Sequence, residues 1–309
     1  MPFDLDDLPP LRELILGGPV PFLVAFSIVA LLGRRRPILG AALALVAGYL
    51  VLHIELTGAL YPGRYPSLSA VRVEQWLFVI PALGAATGWA ALGARPALRL
   101  VLPISLSLGV LVLCFYPKLK GSWTPAESLG WVALWTLAAN LAWHAAEAGA
   151  RRAGSFPALL VGGSAVGLSS LVIGLSGSRK LAQMSGALAA ATLGLCLHAL
   201  IEARRSASLP ASGSPSERQP ASELALGARG ALLAGHLALV VLGVHYNELG
   251  LDQALLCLAP WPLALLAPRP GARWNSPATL LHAGIALLPT LAALGLAIAR
   301  FTPAEEPEW

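Results

Sequence analysis

Apolar residues in this chain fall into long unbroken runs, not into the short periods of amphipathic helices or half-buried strands. Ten runs can be drawn, at 17–33, 37–58, 75–94, 97–116, 127–150, 155–177, 181–203, 229–245, 250–267 and 277–300. Most have the length that crosses a hydrocarbon core about 30 Å thick. In lipid each segment must satisfy its own backbone N–H and C=O groups, which predicts a helix for every run. The alternation expected of barrel strands is absent. The expected fold is all-α, a polytopic transmembrane helix bundle of about ten spans. Two places could change the count: the split at Arg95–Arg99, and the ninth run, "CLAPWPLALLAP", whose prolines would allow a re-entrant path.

Composition strengthens this picture. Hydrophobic residues make up 56% of the chain and charged residues 12%, with a mean hydropathy of +0.70. A soluble domain carries about a quarter charged residues, so the lipid bilayer is the expected partner. The net charge of +5 does not point to nucleic acid, because no block of five or more basic residues exists. Instead the arginines flank the runs. Arg34–Arg36, Arg95 with Arg99, Arg151–Arg152, the segment from Arg204 to Arg229, and Arg269 with Arg273 occupy every second loop and hold 13 of the 21 basic residues. The other side holds 12 of the 16 acidic residues. The positive-inside rule then puts the arginine-rich loops in the cytoplasm and both termini outside.

Richness in Ala, Leu, Gly and Arg with few lysines is common in GC-rich bacteria, so the expected location is the bacterial inner membrane, multi-pass. "MPFDLDDLPP" at the start is acidic and lacks the basic segment of a signal peptide, so the first run should stay as an anchor. Cys114, Cys196 and Cys257 each lie within an apolar run with no metal or redox spacing, and read as small core residues. Trp76, Trp123, Trp131, Trp143, Trp261 and Trp274 fall near run ends, the headgroup level that amphipathic rings prefer, while Trp89 and Trp135 sit deeper.

The stretch "SASLPASGSPSERQPASE" has too few apolar groups to offset the cost of ordering. Taken as a flexible cytoplasmic joint over 206–228, it divides the chain in two. Residues 1–205 carry seven helices behind a short acidic segment, and 229–309 carry three more before a short acidic tail. Two inverted halves would divide near residue 153. No similarity links such halves, and the joint lies two spans too late.

The sharpest polar signal is on the fifth run, where Thr136, Asn140, His144, Glu147 and Arg151 are spaced 4, 4, 3 and 4 and share one helix face. Such a stripe should face the bundle interior or a wet cavity. Structurally, Asn140 would bond to a neighbouring helix and Glu147 would pair with arginine at the interface; functionally, His144 and Glu147 would form a proton or ion relay. His198, Glu202 and Arg205 repeat the theme on the seventh run, spaced 4 and 3. Runs five and seven are parallel, which would allow the two His–Glu pairs to share a depth. The Glu-x-x-His order of di-metal bundles is reversed here, however, and no metal or cofactor is expected. His236 is placed near mid-span in the eighth run.

"LVIGLSGSRKLAQMSG" sets Arg179 and Lys180 in the turn between runs six and seven, on the outer side, with Gln183 a helical turn later. Gly163, Gly167, Ser170 and Gly174 give the preceding helix a small-residue face for close packing. The cations either snorkel to the interface or join Ser176, Ser178 and Gln183 in an anion-binding pocket built on exposed N–H groups.

No P-loop, nucleophile elbow, zinc-protease or EF-hand pattern occurs, and an enzyme is not the favoured class. The expected function is a carrier or channel-like protein for a small, anionic solute. It requires the fifth-run stripe, His236 and the Arg179–Lys180–Gln183 group to converge on one cavity. A structural or assembly subunit that meets membrane-protein partners through small-residue helix faces is the alternative, and it predicts an apolar groove. A lipid-modifying enzyme using His144 and Glu147 ranks third and needs a lateral opening.

Overall fold

The computed structural model describes residues 15–57, 77–208, 222–266 and 277–301, and among them every regular element is an α-helix. These helices are α1 (Pro19–Leu32), α2 (Pro37–Thr57), α3 (Val79–Gly93), α4 (Pro96–Gly121), α5 (Pro125–Ala153), α6 (Ser155–Leu175), α7 (Arg179–Ser208), α8 (Glu223–Tyr246), α9 (Leu251–Leu258), α10 (Pro260–Leu266) and α11 (Pro277–Arg300). Seven helical segments of the described residues, α1 with the turn before it (Ile15–Leu32), α2, α4, α6, α7, α8 and α11, are long and apolar enough to cross a membrane. This is the build of a multi-pass membrane protein. Helix α3 is apolar but only 15 residues long. Helix α5 has 29 residues, yet its polar stripe keeps it out of the seven. The ninth run breaks at Ala259 into α9 and α10, because Pro260 has no N–H with which to continue the α9 ladder.

Helix α8 is the axis of the bundle. Every residue from Leu224 to Gly243 is buried, and α2, α3, α5, α6 and α7 pack around it. A helix buried all round must be apolar or small all round, as "LALGARGALLAGHLALVVLG" is with two exceptions, Arg229 and His236. Bilayer-facing surface belongs to the peripheral helices, where Leu31, Leu100, Leu137 and Leu288 are exposed.

Glycine sets how closely the axis is gripped. A Cβ on Gly230 would sit 1.9 Å from the Gly84 carbonyl oxygen, and one on Gly227 would sit 2.3 Å from that of Ile38. The backbones of α3 and α2 therefore touch α8 directly. On the small-residue face of α6, Gly163 meets Thr192, Gly167 meets Ala189 and Gly174 meets Ala182 across the hairpin to α7. Gly177 turns that hairpin with φ +88°, a conformation that favours glycine.

Several expectations change. The joint is shorter than 206–228, since α7 continues to Ser208 and α8 begins at Glu223; its remaining residues, 209–221, lie outside the described residues. The first helix after the joint, α8, packs among α2, α3, α5, α6 and α7. Trp143 and Trp261 are buried in the bundle, 4% and 6% exposed, and do not present their rings to the surroundings. Trp89 is on the outer surface of the bundle, 64% exposed. The acidic ends at 1–14 and 302–309, Arg269, Arg273, Trp76 and Trp274 lie outside the described residues.

Replacing Gly230 by alanine should lower stability by about 1–3 kcal/mol, the range for overpacking, because backbone, not a side-chain tip, stands in the way. Gly109→Ala in α4 meets nothing within 4 Å, and should be neutral or gain up to about 1 kcal/mol from helix propensity. Thermal unfolding of the two variants in detergent compares them.

Candidate functional site

Among the described residues one charged side chain, that of Arg229, is buried in the core of the bundle. Arg229 lies between Gly227 and Gly230, whose faces are pressed on α2 and α3, so its long side chain is directed to α5. There its Nη1 stands 2.5 Å from Glu147 Oε2, with the Arg229 side chain 2% exposed and that of Glu147 20%. The guanidinium lies over the Trp143 ring, 4.6 Å from the centroid, a cation–π contact strengthened where water is excluded. Glu147 also accepts from Arg151, whose Nη2 is 2.9 Å from Oε1. One carboxylate thus serves two guanidiniums. Nε and Nη2 of Arg229 are buried and have no hydrogen-bond partner among the described residues. Leaving charged donors unmet in a dry interior costs several kcal/mol in general, which makes Arg229 the candidate site of this bundle.

The second His–Glu pair is set apart from the first. Glu202 accepts from Arg205 Nη1 at 2.9 Å and lies 3.6 Å from Arg34 Nε. His198, one turn earlier on α7, is buried and packs edge-on to Phe26 with centroids 6.3 Å apart. Each glutamate therefore has its own pair of arginines. Among the described residues no three His, Cys, Asp or Glu side chains gather at one point.

The upper part of the α5 stripe does not face a wet interior. Thr136, Asn140 and His144 line a groove of about 430 Å³ on the flank between α4 and α5, with walls of Leu100, Ile104, Leu108, Leu129 and Leu137 that are almost entirely carbon. Asn140 turns its Nδ2 inward, donating to the Thr136 carbonyl at 2.8 Å and to Ser107 Oγ at 3.4 Å. Ser107 in turn donates to the carbonyl of Pro103 at 2.7 Å. Behind this wall lies a cavity of about 20 Å³, bounded by Ser107, Trp143, Leu233 and Leu258, room for about one water. Asn140 thus joins two helices, its structural reading, while Glu147 on the same face joins the buried arginine.

His236 is fully buried at the centre. Its Nε2 is 3.1 Å from Ser169 Oγ on α6, and its Nδ1 accepts from Trp261 Nε1 at 3.4 Å. These bonds fix α8 to α6 and α10 and make His236 a packing node.

Arg179, Lys180 and Gln183 are at the opposite end from Glu147. Arg179 is exposed, while Lys180 and Gln183 are half-buried. The serines counted towards an anion pocket are engaged by their own helices: Ser176 Oγ donates to the Val172 carbonyl at 2.8 Å, and Ser178 Oγ accepts from the Leu181 N–H at 3.4 Å as a cap for α7. The loop after α8 leans on this turn, with Glu248 N–H donating to the Ser176 carbonyl at 3.3 Å. The expected convergence of stripe, His236 and outer cations on one cavity is therefore not found. They occupy a flank, the centre and the far end.

Arg229 was missed as a site because its run was begun at residue 229, which set it at the membrane entrance. The usable signal was "LGARGALLAG": an arginine between closely spaced glycines, where a helix begun earlier places it inside. A second unforeseen feature is the aromatic enclosure of His245 at the other end. Phe115, Trp123 and Trp131 present edges at 4.7, 5.1 and 4.6 Å between centroids, and Trp135 Nε1 donates to His245 Nε2 at 3.0 Å. No protein-family model matches the chain, and no curated protein matches it in sequence.

Removing only the carboxylate strands the cation. Glu147→Gln is expected to cost about 3 kcal/mol, the lower end for breaking a buried pair, since Glu147 is partly exposed. The double replacement Glu147→Leu with Arg229→Leu should recover most of that loss. A double-mutant cycle on unfolding midpoints reads the coupling.

Proposed function

In place of a carrier built on the α5 stripe, His236 and the outer cations, which do not converge, we propose a carrier for a small anionic solute in a bacterial inner membrane with Arg229 as its recognition group. The reading is carried by one observation: a guanidinium 2% exposed, with Nε and Nη2 unmet. Arginine's planar fork suits a carboxylate or a phosphate, which it binds by paired charge-assisted hydrogen bonds. Glu147 would hold the site closed while empty. An entering anion would compete with it for Arg229, and the displaced carboxylate would keep Arg151, 2.9 Å away. Trp143 would stay stacked on the cation through the exchange, holding it oriented and shielded from water.

Within this reading the chain crosses the membrane ten times, α9 and α10 together forming the ninth crossing, with both termini outside. Support comes from how the loops gather. At one end Arg34 meets Glu202, Arg152 donates to the Leu265 carbonyl, and Ala225 N–H donates to Ser155 Oγ. At the other, Tyr246 donates to the Cys114 carbonyl and Arg300 pairs with Asp252. The arginine-rich end is the cytoplasmic one by charge. A structural or assembly subunit remains the second reading, favoured by the scatter of the other polar groups over separate surfaces and by the apolar α4–α5 groove.

Cysteine placed at residue 35 should react with a membrane-impermeant label only in inverted vesicles, and cysteine at residue 122 only in intact cells stripped of their outer membrane. Reversal of either assignment overturns the orientation. Purified chain in liposomes, tested with chloride, inorganic phosphate and acetate, should carry at least one of them. Arg229→Gln should lower that flux by about tenfold or more, as expected for losing hydrogen bonds to a charged group, with helical content unchanged. Absence of flux for all three overturns the carrier reading.

A further inference from the structure

We infer that the groove between α4 and α5 is a binding site for an anionic phospholipid of the surrounding bilayer, with one acyl chain in the groove and the phosphate on arginines at its cytoplasmic end. The inference does not require solute transport: it uses the outer flank of α5 and shares with the proposed carrier only Arg151, which also pairs with Glu147.

The groove has the dimensions and chemistry of a chain site. Along α5 it runs from Leu129 to His144, about 22 Å at the helical rise of 1.5 Å per residue. One leaflet of hydrocarbon is about 15 Å deep, so a chain can lie in the groove for its whole length. Leu129 and Leu137, 72% and 70% exposed, stand out from this flank and mark it as bilayer-facing. Asn140 turns its Nδ2 inward to the Thr136 carbonyl and Ser107, and its Oδ1 and Thr136 Oγ1 are buried without a hydrogen-bond partner among the described residues, so the surface open to a chain is almost entirely carbon. A small polar solute gains nothing there. An apolar chain loses nothing.

Charge selects the headgroup. Arg95 and Arg99 precede Leu100 at the cytoplasmic end of the groove, and both are exposed. Arg99 directs Nε to the Ala94 carbonyl and Nη2 to that of Leu92, which caps α3 and fixes the guanidinium at the groove mouth, with Nη1 outside both bonds. Two turns beyond His144 on α5, past the lining of the groove, stands Arg151, its side chain 50% exposed. Among the described residues Glu147, one turn from Arg151, is held by Arg151 and Arg229, so this group of three side chains remains net positive. Exposed His144 lies inward of Arg151 along α5, in the groove, at the depth of glycerol and ester oxygens when phosphate is at the arginines. Basic pockets between helices on the cytoplasmic side are a recurring mode of anionic headgroup recognition. A zwitterionic headgroup would bring its own cation to the same arginines and would be disfavoured.

The test uses the full chain reconstituted in phosphatidylcholine vesicles with trace spin-labelled phosphatidylglycerol or phosphatidylcholine. The motionally restricted fraction should be larger for phosphatidylglycerol at low salt, and the difference should shrink as salt is raised. Arg99→Gln and Arg151→Gln should each reduce the preference by up to about fivefold, from roughly 1 kcal/mol per basic residue near the surface. Ala133→Trp, which fills the groove without touching the arginines, should release the site-bound chain of either lipid. Leu31→Trp, on exposed α1 surface, should leave it unchanged. Helical content and unfolding midpoint verify that each variant is folded. Equal restriction of the two lipids by the native chain overturns the proposal, as does an Ala133→Trp variant indistinguishable from it. Stoichiometric crosslinking of Leu137→Cys to another polypeptide in native membranes would also overturn it, by assigning the groove to a partner helix.

Discussion

A helix enclosed on every side has no face on which to place a charge, and α8 carries one. Most of the basic end of this bundle follows from meeting that demand. Gly227 and Gly230 press their faces against α2 and α3, which leaves α5 as the direction open to the Arg229 side chain. Glu147 must then stand where it does, and Trp143 must lie flat against the cation. The pair is poor at adding stability, because desolvating two ions offsets most of their attraction. Its value is in specificity: it fixes the rotation of α8 about its own axis and its register against α5.

The other polar groups divide by the same physics into those that join helices and those that mark surfaces. Ser169, His236 and Trp261 form a hydrogen-bonded chain through the centre, and Asn140 with Ser107 links α4 to α5. Within a low-dielectric interior such links are directional where dispersion contacts are not. At the two ends, arginines and aromatic rings take over. The His245 enclosure holds α4, α5 and α8 together at the end remote from Glu147 by ring edges and a single indole bond.

Much of this was legible in the sequence because lipid narrows the options. Long apolar runs can only be helices, and nearly every run corresponds to one helix within a few residues. The small-residue face of α6 also packs as its spacing implied. Less legible was which helix goes inside, since α8 is no more apolar than its neighbours; what distinguishes it is glycine on several faces at once, a signal that emerges only when partners are known. The α5 stripe was read as a single surface, yet a helix face more than one residue wide can border two environments. Asn140 looks to α4, while Glu147, two turns on, looks to α8. For Arg229 the error was one of boundary, a turn and a half of helix upstream of the apolar run.

The position of α8 carries a consequence for how the molecule is made. Ribosomes deliver the chain from its amino terminus, so α1 to α7 enter the bilayer while their future axis is still being translated. Those earlier segments can reach no finished arrangement by then, because the surfaces of α2, α3 and α5 that will clasp the axis have nothing to clasp. The segment that arrives late must bring an arginine into their midst, and its carboxylate counterpart has by that time already been threaded. Assembly of this protein is therefore a closing of a ring around a latecomer: the α6–α7 hairpin and the α1–α2 pair can meet beforehand, while the surfaces of α2, α3 and α5 that clasp the axis are completed only when it arrives.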